Sequence, residues 1–89
     1  MKPPKAVTQV KPKYTEEALI RKIQGTVIIE MIVRADGMPD AIHVIGPLDP
    51  GGLDATAIEA ARQWRFEPGR LGDTPVDTLV TLMLDFRIQ

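Results

Sequence analysis

The last fifteen positions of the chain, Pro75 to Gln89, alternate. Val76, Val80, Leu82, Leu84, Phe86 and Ile88 are apolar, with Thr78 the exception on that parity, whereas Asp77, Thr81, Asp85, Arg87 and Gln89 stand on the other. A period of two puts successive side chains on opposite faces of an extended backbone, so the stretch predicts a β-strand with one face on a core. At ~3.4 Å per residue, Val76 to Ile88 would reach roughly 40 Å, beyond the usual strand of about five or six residues. A strand that outruns its neighbours has backbone N–H and C=O groups without internal partners, and such a row is either protected or used to dock another extended chain. Leu79 and Met83 are apolar on the face that should be wet.

The same pattern organises the chain upstream. Thr26 to Arg34 is rich in β-branched residues, with Val27, Ile29, Met31 and Val33 on one face and Ile28, Glu30 and Ile32 on the other. Ala35-Asp36-Gly37 signals a tight reversal into a second strand, Asp40 to Gly46, in which Ile42 and Val44 share a face. Pro39 at its mouth cannot donate to a ladder, which suits an edge strand. Two helices are predicted. Thr15 caps a short one that Gly25 ends, with Leu19 and Ile23 on one face. Asp54 caps the other, Ala55 to about Arg65, with an apolar stripe of Ala57, Ile58, Ala61 and Trp64, where Trp64 is the largest single burial and Pro68-Gly69 the stop. A hairpin followed by a crossover helix gives an α+β fold: a three-stranded antiparallel-type sheet of order 2-1-3, both helices on one face and the long last strand at the margin.

Composition narrows what such a domain can do. Eighty-nine residues make one domain with one modest core. Residues 1–13 hold Lys2, Lys5, Lys11 and Lys13 among Pro3, Pro4 and Pro12 without an acid, a composition that favours extended backbone and is expected to be the end of a linker, with the folded domain at 14–89. The remainder carries seven basic and twelve acidic residues, the wrong sign for nucleic acid. There is no cysteine and no serine, and no threonine has a neighbouring base, so neither an enzyme nor a cofactor is expected. His43 with Asp36 and Asp40 lacks a second His or Cys for a metal site, and Asp49 with Asp54 lacks the alternating ligands of a calcium loop. No membrane span or export signal lies within the chain, so any anchor is expected outside it.

Trp64-Arg65-Phe66-Glu67-Pro68-Gly69, preceded by Leu53-Asp54 and Ala57, and by Ile23-Gln24-Gly25-Thr26-Val27 and Ala35-Asp36-Gly37, resembles the C-terminal domain of TonB-type energy transducers. The likeness spans Tyr14 to Ile88, with Thr15 where the family usually has Pro and Met38-Pro39 at the usual polar exit of the turn. It implies a periplasmic binding module, tethered to the inner membrane and its proton-channel complex by an N-terminal anchor absent here. The module would grip the N-terminal box of a TonB-dependent outer-membrane transporter, of the kind that serves siderophore uptake, and pass on force. In the family the box lies along the last strand, here Leu79, Val80, Thr81, Leu82, Met83, Leu84, Asp85 and Phe86, and the segment before the Tyr, here Lys11, Pro12 and Tyr14, also touches the transporter. The motif Trp64 to Gly69 is expected to be mainly structural, its aromatics in the core and Arg65 on the surface. The alternative is a TonB-like interaction domain of a sensor or other envelope protein, or a homodimer in which the last strand pairs with its twin.

Overall fold

The computed structural model describes residues 1–48 and 51–88; Asp49, Pro50 and Gln89 lie outside the described residues. Among the described residues nine elements follow in order: β1 (Lys5–Thr8), α1 (Glu16–Ile20), β2 (Gly25–Val33), β3 (Pro39–Gly46), α2 (Leu53–Arg62), β4 (Arg65–Glu67), β5 (Gly69–Leu71), β6 (Thr74–Val76) and β7 (Thr78–Phe86). The main sheet is antiparallel with order β3-β2-β7, the 2-1-3 arrangement expected, and both helices pack on one face. Two small two-stranded ladders, β1-β4 and β5-β6, stand beside it.

The central strand is buried on its core parity: Val27, Ile29, Met31 and Val33 have no exposure. Leu84 and Phe86 of β7 join Val27, Ile29, Ala18, Leu53, Ala57 and Ala61 in the main core, and Met31, Val33 and Phe66 form a second cluster at the other end of the sheet. The small residues Ala57, Ala60 and Ala61 let α2 lie close to the sheet. Burying a side chain such as Phe86 or Ile29 contributes about 1.5–3 kcal/mol, and this shared face holds the sheet to the helices.

The β2–β3 reversal is a three-residue hairpin loop. The Gly37 N–H donates to the Arg34 carbonyl (2.8 Å), and the Arg34 N–H donates to that of Met38 (3.0 Å). Gly37 sits at φ 86°, the left-handed position that such a loop assigns to glycine. A Cβ there would collide with the Phe66 carbonyl, and the Phe66 N–H donates to the Gly37 carbonyl (3.1 Å). The Ala35-Asp36-Gly37 and Trp64-Arg65-Phe66 motifs are therefore one contact seen twice in the sequence.

Several expectations change. The last strand runs from Thr78 to Phe86 and not from Val76, because the Asp77 carboxylate is drawn out of line to accept from the Ala35 N–H (2.8 Å) and the Arg34 guanidinium (3.0 Å). The first helix ends at Ile20. Lys22 adopts φ 55°, and the Ile23 and Lys22 N–H groups donate back to Ala18 and Leu19 carbonyls, a Schellman stop made without glycine. That leaves Leu19 and Ile20 exposed and buries Ala18 instead, while Thr15 caps as expected. The second helix begins at Leu53 behind Gly52, and Asp54 accepts from the Leu48 N–H (2.8 Å) within the first turn.

Trp64 lies beyond the helix end and is half-buried, so the largest fully buried side chain is Phe86. Pro68-Gly69 follows β4, not the helix. The segment 1–13 also differs from a free linker: β1 pairs antiparallel with β4, and Ala6 packs against the second core cluster. Backbone ladders need no apolar side chains, so composition was blind to this pairing.

Candidate functional site

β7 lies at one margin of the main sheet, and its nine residues pair without interruption to β2, from Gly25 opposite Phe86 to Val33 opposite Thr78. Which of its backbone groups face that partner follows from the hairpin at the far side of β2. The Arg34 N–H points to β3, and in an antiparallel ladder the direction alternates from residue to residue. Ile32 and Glu30 then face β3, whereas Val33, Met31, Ile29 and Val27 face β7. Pro39, which has no N–H, stands opposite Val33 where nothing is asked of it.

Their partners Thr78, Val80, Leu82 and Leu84 therefore spend their amides on β2. The N–H and C=O groups of Leu79, Thr81, Met83 and Asp85 point away from the sheet, and among the described residues no strand lies beyond them. The same four residues carry their side chains on the face away from the helices. Leu79 is 63% and Met83 69% exposed. Each stands opposite an isoleucine of β2, Ile32 and Ile28 respectively, so an apolar ledge runs to the rim of the sheet. Asp85 differs: its carboxylate accepts from the Thr26 hydroxyl (2.7 Å) and is not a free charge.

At the end of β7 the two groups of residues expected to bind, some seventy positions apart in sequence, come together. Lys11, Pro12 and Tyr14 line a cleft of about 270 Å³ with Asp85, Phe86 and Arg87. Tyr14 is fixed there, its hydroxyl donating to the Ile23 carbonyl (2.6 Å) and its ring edge-on to Phe86 at 5.5 Å. Arg87, Thr26 and the β2 isoleucines were not singled out as site residues in the sequence; cross-strand register reveals Thr26 and the isoleucines, and the lining of the cleft reveals Arg87.

At the other end of β7, Arg34 bridges Asp40 (2.7 Å) and Asp77 (3.0 Å). The Ala35 N–H and then Arg34 hold the Asp77 carboxyl below the usual carboxylate range, and Arg34 followed by the Ala41 N–H does the same for Asp40. The cluster fixes where the marginal strand starts.

The family motif lies apart from this edge. Trp64 and Phe66 stack at 5.9 Å with the indole N–H donating to the Val10 carbonyl (2.9 Å), and Arg65 turns back to the carbonyls of Arg62 and Trp64 at the end of α2. Glu67 pairs across to Lys5, and Gly69 opens β5 after Pro68. His43 on the outer face of β3 lies 3.3 Å from Glu30. Among the described residues no helix is long and apolar enough to cross a membrane.

The sequence profile of the family described as Gram-negative bacterial TonB protein C-terminal matches residues 10–88. Protein tonB2 of Pseudomonas aeruginosa is 34% identical over 77 residues, covering 86% of this chain and 28% of that protein. Protein TonB of Vibrio cholerae is 32% identical over 88 residues, covering 99% and 36%. The chain thus spans about a third of the length of these relatives. The solution NMR structure of the Pseudomonas aeruginosa TonB C-terminal domain superposes with a TM-score of 0.78 at 30% identity, over 97% of this chain and 87% of that one.

Proposed function

This chain belongs to the Gram-negative bacterial TonB protein C-terminal family, and on that premise we propose that it is the gripping domain of an energy transducer. It docks the N-terminal box of a TonB-dependent outer-membrane transporter as an extra strand on β7. The observation that carries the reading is the outward row of backbone groups at Leu79, Thr81, Met83 and Asp85, at the margin of an otherwise paired sheet. Main-chain bonds along that row supply affinity, and the ledge of Leu79 and Met83 with the cleft at Lys11, Pro12 and Tyr14 supplies selectivity.

Force passes through the added strand to β7, and from β7 through nine paired residues to β2 at the centre of the core. No bond is made or broken in this domain, so its contribution is mechanical and not enzymatic. In the whole protein the domain sits in the periplasm, tethered to the inner membrane and its proton-channel complex by a segment upstream of the residues described above.

Titration with peptides copied from transporter N-termini, followed by amide chemical shifts, should perturb Leu79 to Phe86 first. Changes confined to Trp64 and α2 would overturn the reading. The same exposed edge also suits self-pairing, in this transducer or in a sensor-type relative. Sedimentation at several concentrations separates the two, since a dimer that peptide cannot dissociate would make the twin strand the partner.

A further inference from the structure

The N-terminal segment runs antiparallel along the motif strand β4 and on to β5. Lys2 and Arg70 exchange two backbone bonds of 2.9 Å, Lys5 stands opposite Glu67 and Ala6 opposite Phe66, the register shifts at Thr8 opposite Arg65, and the Trp64 indole closes the far end on the Val10 carbonyl. This strap is weakly held by comparison with β7. Pro3, Pro4 and Pro68 interrupt its ladder by removing donors. Ala6 is its only side chain packed on a core cluster, and Val7 is 65% exposed. The β2–β7 ladder, by contrast, is unbroken over nine pairs and backed by the buried residues of both strands. Elements with few buried contacts open at lower free energy than the fold as a whole.

We infer that residues 2–10 form a releasable clip in the load path, which detaches from β4 and β5 before the main sheet is disturbed. This rests on the reading of the domain as a force-transmitting grip, in which tension enters from the N-terminal side. Tension is the same at every point of a chain in series, so the weakest ladder yields first. Release at the Lys11-Pro12-Lys13 hinge turns the strap into free tether with a contour of about 30 Å at ~3.5 Å per residue. The transducer gains slack while β7 keeps its partner. Trp64 is the only tryptophan of the chain, and it loses its hydrogen bond to Val10 when the strap leaves.

The test is single-molecule pulling on the 89-residue chain through tags at its two termini, without any partner. The expected trace has a reversible low-force step ahead of the rupture of the sheet. Trp64→Phe, which keeps an aromatic ring but not the N–H donor, should lower the force of that step. A disulfide between Lys5→Cys and Glu67→Cys should confine it to residues 2–4 until reductant is added. A single rupture with no early step, an early step unaltered by Trp64→Phe, or one that keeps its full length in the oxidised double variant overturns the inference. Because no peptide is present, any of these results leaves the strand-docking reading to its own titration, and a failed titration leaves the clip to this one.

Discussion

Two prolines at neighbouring positions of β7 test the alternation on which the gripping edge depends. Val80 stands opposite Met31 and Thr81 opposite Glu30; the first amide is assigned to the β2 ladder and the second to the open margin. Val80→Pro removes a ladder bond worth about 0.5–1.5 kcal/mol net and leaves the Met31 carbonyl without its donor, at about 1–3 kcal/mol for a buried group. Met31 has no exposed surface, so water cannot replace the donor. The sum, about 2–4 kcal/mol, corresponds to a fall in Tm of roughly 10–30 °C for a domain of this size. Thr81→Pro removes no internal bond and restricts Val80 to the extended region it already occupies, so its melt should stay within about 5 °C of wild type. It does remove one donor offered to a guest strand, and peptide affinity should fall by about 2–10-fold or more. Thermal melts by circular dichroism and peptide titration on the same samples decide the matter. If Thr81→Pro unfolds the domain while Val80→Pro melts like wild type, the amides face the other way and the edge cannot dock a strand as described.

Gly37→Ala should destabilise by about 1–3 kcal/mol, since φ 86° is strained for alanine and its methyl meets the Phe66 carbonyl; a denaturation midpoint unchanged in urea would contradict this. Tyr14→Phe keeps the edge contact with Phe86 but leaves the Ile23 carbonyl unpaired, and should cost about 1 kcal/mol by urea titration, with amide shifts concentrated at Ile23 and Phe86. The Asp40 and Asp77 carboxyls are held below their ordinary values, so they bind protons less readily folded than unfolded. Their stabilisation is complete above about pH 5 and is lost as pH falls below about 4. Asp77→Asn should therefore lower stability at neutral pH by an amount that vanishes in acid, and a difference that grows on acidification would refute the assignment.

Most of the main sheet was legible in the pattern of side chains. Val27 to Val33 alternates in burial and Val80 to Phe86 in both burial and, Met83 apart, residue type, because each strand has one face on the helices and successive side chains point to opposite faces with a period of two. The edge position of the last strand, the Thr15 cap and the turn at Asp36-Gly37 were likewise local or topological consequences of named residues. Even the apolar ledge was visible as Leu79 and Met83 on the wrong parity.

What tertiary structure alone decided were features held by backbone groups and by contacts distant in sequence. A helix stop made by Lys22 in a left-handed conformation carries no glycine to announce it. Asp77 cuts the alternating run short because it is drawn to Arg34 and Ala35, 43 and 42 residues away along the chain. The strap of residues 2–10 docks through N–H and C=O groups that every non-proline residue possesses, so its lysines and prolines gave no sign of it. Residue chemistry sets which face of an element turns inward, but the pairing of one backbone with another has no residue code, and it emerges only when the core has brought the two together.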